Sequence, residues 1–167
     1  MKKFFYLLLL CFTVTSGFSQ EINRDDEFRR NEVFIELGGN GLLGSLNYER
    51  QLFKKPGFGF RVGAGIYGTD PHLTIPVGIN YLSRFFKSRS FIDLGLGVTY
   101  TDYNVRLFVI EKRDAEYVQK DQSFYLIPSL GLKACTSKNF AWRMYITPVL
   151  SHSDLLPYIG FGLGKRF

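Results

Sequence analysis

Large apolar residues alternate with small or polar ones through most of this chain, most clearly at its C-terminal end. There Ile159, Phe161, Leu163 and Phe167 share one face, while Gly160, Gly162, Gly164 and Arg166 share the other. Successive side chains of a strand point to opposite faces, so this period of two predicts a strand with one apolar side. The pattern recurs upstream and predicts strands over about 32–39, 43–52, 58–67, 73–82, 91–101, 125–133 and 140–150, with the last over 156–167. In the third, Phe60, Val62, Ala64 and Ile66 oppose Gly59, Arg61, Gly63 and Gly65; in the fifth, Ile92, Leu94, Leu96 and Val98 oppose Asp93, Gly95, Gly97 and Thr99. Eight such strands predict an all-β fold, an eight-stranded antiparallel up-and-down transmembrane β-barrel with its apolar side toward lipid.

The N-terminal segment fits export. Met1-Lys2-Lys3 is positively charged, residues 4–12 are apolar, and residues 13–20 supply small and polar residues, Thr, Ser, Gly and Gln among them. This is the form of a secretory signal peptide, too short to span a bilayer as a helix, with cleavage expected near Ser19-Gln20. The predicted organisation is a cleaved signal peptide over 1–20, a short periplasmic segment over 21–31 and an outer-membrane barrel over 32–167. An even strand count brings both barrel ends to the periplasmic side, which makes 54–57, 86–90 and 136–139 short periplasmic turns. The longest connection, 102–123, then falls outside. Pro76, Pro128 and Pro148 lie within predicted strands, where each removes a ladder donor and predicts a bulge or a strand end. Arg50 and Lys165 fall on the lipid face, near periplasmic ends where a long side chain can snorkel.

Composition strengthens this picture. The chain carries 17 Gly, 17 Phe and 10 Tyr, and a barrel uses both excesses, aromatics toward lipid and glycines where the interior is narrow. Lys and Arg number 21 against 15 Asp and Glu; without Lys2 and Lys3 the balance is 19 against 15, a net charge of +4. The bases are scattered and follow an export signal, which argues against nucleic acid as a partner. Cys135 is the one cysteine beyond the signal segment, so no intramolecular disulfide is available to the mature chain.

The stretch Glu36-Leu37-Gly38-Gly39-Asn40-Gly41-Leu42-Leu43-Gly44-Ser45-Leu46-Asn47-Tyr48-Glu49-Arg50, the Ser-Gln end of the signal and the terminal aromatic strand resemble small outer-membrane β-barrel proteins of Bacteroidota. The architecture resembles the OmpA/OmpX-like eight-stranded barrels. The resemblance covers essentially all of the mature chain and implies location and fold. It brings no shared catalytic motif.

Several residues could carry chemistry. Glu36, Glu49, Arg61, Asp93, Lys133, Arg143 and Arg166 are predicted to face inward, three acids against four bases. An unpaired charge in so narrow an interior is very costly, so they are expected to form a luminal polar network rather than a polar pore or proton path. Ile159, Phe161, Leu163 and Phe167 form the expected assembly signal for the barrel assembly machinery. His72 and His152 lie in predicted external loops, His152 within Ser151-His152-Ser153-Asp154. Adjacent residues do not aim at one another as a nucleophile, base and orienter must, so that stretch reads as a polar turn. No metal-ligand spacing is present, and no cofactor is implied. The expected partners are outer-membrane lipids, lipopolysaccharide and, through 102–123, a surface partner. The reading is a non-enzymatic barrel with a structural, adhesive or surface-binding role. The alternatives are a lipid-modifying acyl hydrolase or acyltransferase using His152 and a nearby serine, and a narrow channel.

Overall fold

A computed structural model describes residues 28–67, 72–84, 89–102, 123–150, 155–156 and 158–167. Its strands are β1 (Asn31–Leu37), β2 (Gly44–Gln51), β3 (Phe58–Tyr67), β4 (His72–Arg84), β5 (Ser90–Thr101), β6 (Phe124–Cys135), β7 (Phe140–Ile146), β8 (Val149–Leu150), β9 (Leu155–Leu156) and β10 (Ile159–Arg166). Each pairs antiparallel with its neighbours, and β1 pairs with both β2 and β10, which closes the sheet on itself.

The ten segments make eight staves. β8 meets β6 in the register that β7 set, and β9 meets β8 in the register that β10 set with β7. β7 and β8 are therefore one strand interrupted at Thr147–Pro148, bridged only by a Thr147 N–H donated to the Tyr158 carbonyl at 2.8 Å. The result is a closed, eight-stranded antiparallel barrel.

Proline acts in two ways at the three predicted strand positions. Pro148 breaks its strand, as a missing ladder donor predicts. Pro76 and Pro128 form no bulge, contrary to one of the two outcomes expected for them. Pro76 stays opposite Thr99 and Pro128 opposite Leu96, with no extra residue in either strand. Pairing from β4 toward β3 lapses between Val62↔Val77 and Gly65↔Thr74 without a register change. Each ring thus turns its missing donor to one side of the strand and leaves the other ladder intact.

Alternation sets the two faces. Ile35, Leu46, Val77, Ile79, Leu94, Leu130, Met144, Ile146 and Ile159 are exposed on the outside, while Glu32, Phe34, Glu49, Arg61, Lys133 and Arg143 are buried inside. An outer surface this apolar around the whole circumference is not one that water covers favourably.

Several boundaries differ from the sequence expectation by a few residues, and two of the differences bear on the interior and the loops. β1 stops at Leu37, because Gly38 and Gly39 take positive φ angles of 73° and 68° that turn the chain out of the wall. A single 3-10 turn follows at Gly39–Gly41, with all three residues buried. At the other correction, His72 is the first residue of β4 rather than part of a loop.

Candidate functional site: the filled lumen

The inward face of each strand delivers a charged or polar group to one shared interior, and the charges there balance. Buried acids are Glu32, Glu36, Glu49 and Asp93; buried bases are Arg61, Lys133, Arg143 and Arg166. The sequence reading named all but Glu32, which occupies the inward position of β1 opposite Glu49 and Arg166. Its signal was present, since it shares parity with Phe34 and Glu36.

Toward the end where β1 begins and β10 stops, here the terminal end, two carboxylates are cross-linked by two cations. Lys133 Nζ lies 2.7 Å from both Glu32 Oε2 and Glu49 Oε1. Arg143 donates through one terminal nitrogen to Glu32 at 2.5 Å and through the other to Glu49 at 2.7 Å, and its guanidinium covers the Phe34 ring at 3.7 Å from the centroid. Asp93 stands 3.7 Å from Arg143, and Arg166 stands 3.6 Å from Glu32. Gln51 and Asn80 extend the set, Gln51 donating to Glu49 at 3.1 Å and Asn80 to Asp93 at 3.3 Å. Charge-assisted bonds of this kind satisfy groups that would otherwise be very costly in a low-dielectric interior.

A second group surrounds Glu36. The Tyr145 hydroxyl donates to its carboxylate, as do the Asn40 backbone N–H at 2.9 Å and the Asn47 amide at 3.1 Å. Arg61 lies between the two groups. It donates to Ser129 at 3.0 Å and lies 5.8 Å from the Tyr145 ring centroid, yet it has no ion pair within 4 Å among the described residues. The lumen therefore brings Glu49, Asp93, Lys133, Arg143 and Arg166 together with Glu32, while Glu36 belongs to a separate group and Arg61 lies between the two.

Both mouths are filled. At the terminal end Arg166 covers the Phe28 ring at 4.2 Å, and Phe28 meets Phe91 edge to face at 6.1 Å. At the far end the Gly39–Gly41 turn is pinned across the interior. Thr99 donates to the Asn40 carbonyl at 2.6 Å and Thr74 to the Gly41 carbonyl at 3.1 Å. Leu42, just after it, is fully buried against Tyr67, Tyr125, Ile127 and Val149. This inward plug was not foreseen, because the sequence pattern there reads equally well as an external hairpin. Gly160 makes room for the same region, since a Cβ there would overlap the Tyr145 ring and approach Gly39 Cα at 2.9 Å.

Ile159, Phe161 and Leu163 are exposed on the outer face of β10, and exposed Phe167 follows it. Phe167 and Asn31 exchange backbone bonds of 2.9 and 3.2 Å, which end the closing ladder. His72 Nδ1 lies 3.4 Å from Asp102 Oδ1 at the base of the longest connection. His152 and residues 103–122 lie outside the described residues. Among the described residues no group of three His, Cys, Asp or Glu is placed to hold a metal ion.

No known protein-family pattern matches this chain, and no curated protein does. Solved structures do. The N-terminal β-barrel domain of Pseudomonas aeruginosa OprF matches with a TM-score of 0.58 at 14% identity, over 83% of this chain and 96% of that one. The Yersinia pestis outer membrane protein Ail, determined in a phospholipid bilayer nanodisc, matches with a TM-score of 0.53 at 11% identity, over 83% of this chain and 99% of that one. At such identities the likeness carries the fold: this chain has the architecture of the eight-stranded outer-membrane barrels.

Proposed function

We propose that this protein is a non-enzymatic outer-membrane barrel, a sealed scaffold that presents its far-end loops, above all residues 102–123, to partners at the cell surface. The observation that carries this reading is the pairing of an apolar outer face with a charge-balanced lumen closed at both mouths. Such an outer face needs lipid around it. Such an interior offers no aqueous path, since Lys133 and Arg143 span it and the Gly39–Gly41 turn caps it. That favours the scaffold over the narrow channel. The fold likeness to Ail, an outer membrane protein, supports the location.

The test is direct. The protein should fractionate with outer membranes, migrate differently on a denaturing gel before and after boiling, and show no single-channel steps in a planar bilayer. Steady conductance from folded protein would replace the scaffold with the channel. A soluble protein without a gel shift would remove the membrane reading altogether.

A further inference from the structure

Among the described residues the charges outside the lumen are segregated along the barrel axis. Among the described residues the one acidic side chain outside the lumen is Asp102, at the far end, beside the longest connection. The terminal end carries Arg30, Arg50, Lys55, Arg84, Lys138 and Lys165, together with Arg29, Lys54 and Arg89, with no acidic side chain among the described residues of its outer surface. The acids at that level, Glu32, Glu49 and Asp93, are turned inward and engaged by Lys133 and Arg143. They do not neutralise the rim.

The bases are spread around the wall rather than gathered on one side. Arg30 precedes β1, Arg50 is on β2, Lys55 is in the β2–β3 turn, Arg84 ends β4, Lys138 is in the β6–β7 turn and Lys165 is on β10. Two of them sit on the apolar face itself. Arg50 stands beside Phe60 in the ladder, and Lys165 is flanked by Val33 and Phe140. By alternation they share the face of Leu46 and Leu163, so their stems lie along apolar surface and their charges reach beyond it. Aromatic rings mark the same level, where Phe58 and Tyr81 meet edge to face at 4.9 Å. Aromatic rings and cations sharing one level are the groups of a membrane boundary, where hydrocarbon gives way to headgroups.

We propose that this rim is a ring-shaped docking surface for the phosphate groups of anionic phospholipids in the leaflet on the terminal side. A partner protein would contact one sector, whereas an annulus of lipid contacts the whole circumference, and two of the cations project from the lipid face rather than from the end of the barrel. The inference rests on the reading that the barrel spans a membrane, and the boiling shift reports that separately.

The test uses the folded full barrel in vesicles of phosphatidylcholine containing a minor fraction of spin-labelled phosphatidylglycerol or spin-labelled phosphatidylcholine. The bound fraction of each label gives the selectivity. Wild type should prefer phosphatidylglycerol by at least about five-fold at low ionic strength, the factor one well-placed base contributes at a membrane surface, and salt should weaken the preference. Replacing Arg30, Arg50, Lys55, Arg84, Lys138 and Lys165 together by Gln should remove most of it. The pair Arg50→Gln with Lys165→Gln should at least halve it, and that pair keeps the test readable if the six-site variant does not assemble. Asp102→Asn should leave it unchanged. An inserted barrel, showing its gel shift, with equal affinity for both lipids would overturn the ring and leave the scaffold standing. So would selectivity undiminished by the six substitutions. Co-sedimentation of wild type with peptidoglycan sacculi, abolished by Lys55→Gln with Lys138→Gln in a barrel without lipid preference, would reassign the rim to a periplasmic polyanion.

Discussion

Lys133 Nζ and Glu49 Oε1 lie 2.7 Å apart although their strands, β6 and β2, stand opposite each other in the barrel wall. The contact spans the lumen. It means that the interior is filled by side chains of opposite charge, and that opposite sides of the wall are tied through their inward groups as well as through the ladder.

Breaking that tie should be expensive. Glu49→Gln removes the charge shared by Lys133 and Arg143 and leaves both cations under-compensated in a buried site. The expected loss is about 3–5 kcal/mol, the range for removing one partner of a buried ion pair. Urea unfolding of the barrel in micelles measures it. Glu49→Gln combined with Lys133→Met should lose less than the two single losses added together, with a coupling of about 0.5–3 kcal/mol. Full additivity would mean that the contact contributes nothing.

The plug makes its own prediction. Gly160→Val places carbon where the Tyr145 ring lies and crowds Gly39, so the ring must leave Glu36 or the turn must lift. Overpacking of this kind costs about 1–3 kcal/mol. Tyr145→Ser in the same chain should relieve part of that loss. Gel-shift assays across a denaturant series read both, and an unaltered midpoint in Gly160→Val would show that the lumen has room to spare.

The closing strand ends on Phe167, whose backbone exchanges two bonds with Asn31 and whose ring is exposed on the outer face. Deleting Phe167, or replacing it by Lys, should reduce assembled barrel in cells and leave unfolded chain for periplasmic proteases. The boiling-sensitive fraction in outer membranes measures this. Wild-type yield after deletion would remove the residue from the assembly signal.

The longest connection should be separable from the barrel. The Thr101 N–H donates to the Ser123 carbonyl at 2.9 Å, and Tyr100 pairs with Phe124, so the β5–β6 ladder is complete at the base of that connection. Replacing residues 103–122 by a tight turn should leave assembly intact, since each doubling of loop length changes closure by only about 0.6 kcal/mol. Binding to cells or surface ligands should be lost with the loop. His152→Ala should leave lipid A acylation unchanged by mass spectrometry, and an altered profile would favour the lipid-modifying alternative.

The sequence by itself determined the strands and their two faces. Lipid on one side and a narrow lumen on the other impose a strict period of two, because a one-residue slip would exchange every side chain between them. Hence β3 runs from Phe58 to Tyr67 as the pattern predicts, and the inward parity of Arg61, Asp93, Lys133 and Arg143 could be read from neighbours along their own strands. The break at Pro148 was legible for a similarly local reason, a donor that proline lacks.

Tertiary structure decided what depends on distance across the barrel. Nothing local says that Lys133 meets Glu32 and Glu49 while Arg61 is left with Ser129 and an aromatic ring, since those partners are set by the register of strands far apart in the chain. Glu32 was legible in parity but not in role, which required Arg143 and Lys133 to arrive from the other side of the lumen. The inward plug was the least legible feature. Gly38 and Gly39 permit positive φ, yet only Thr74, Thr99 and the Leu42 pocket, all contributed by other strands, make turning into the lumen better than turning out to solvent.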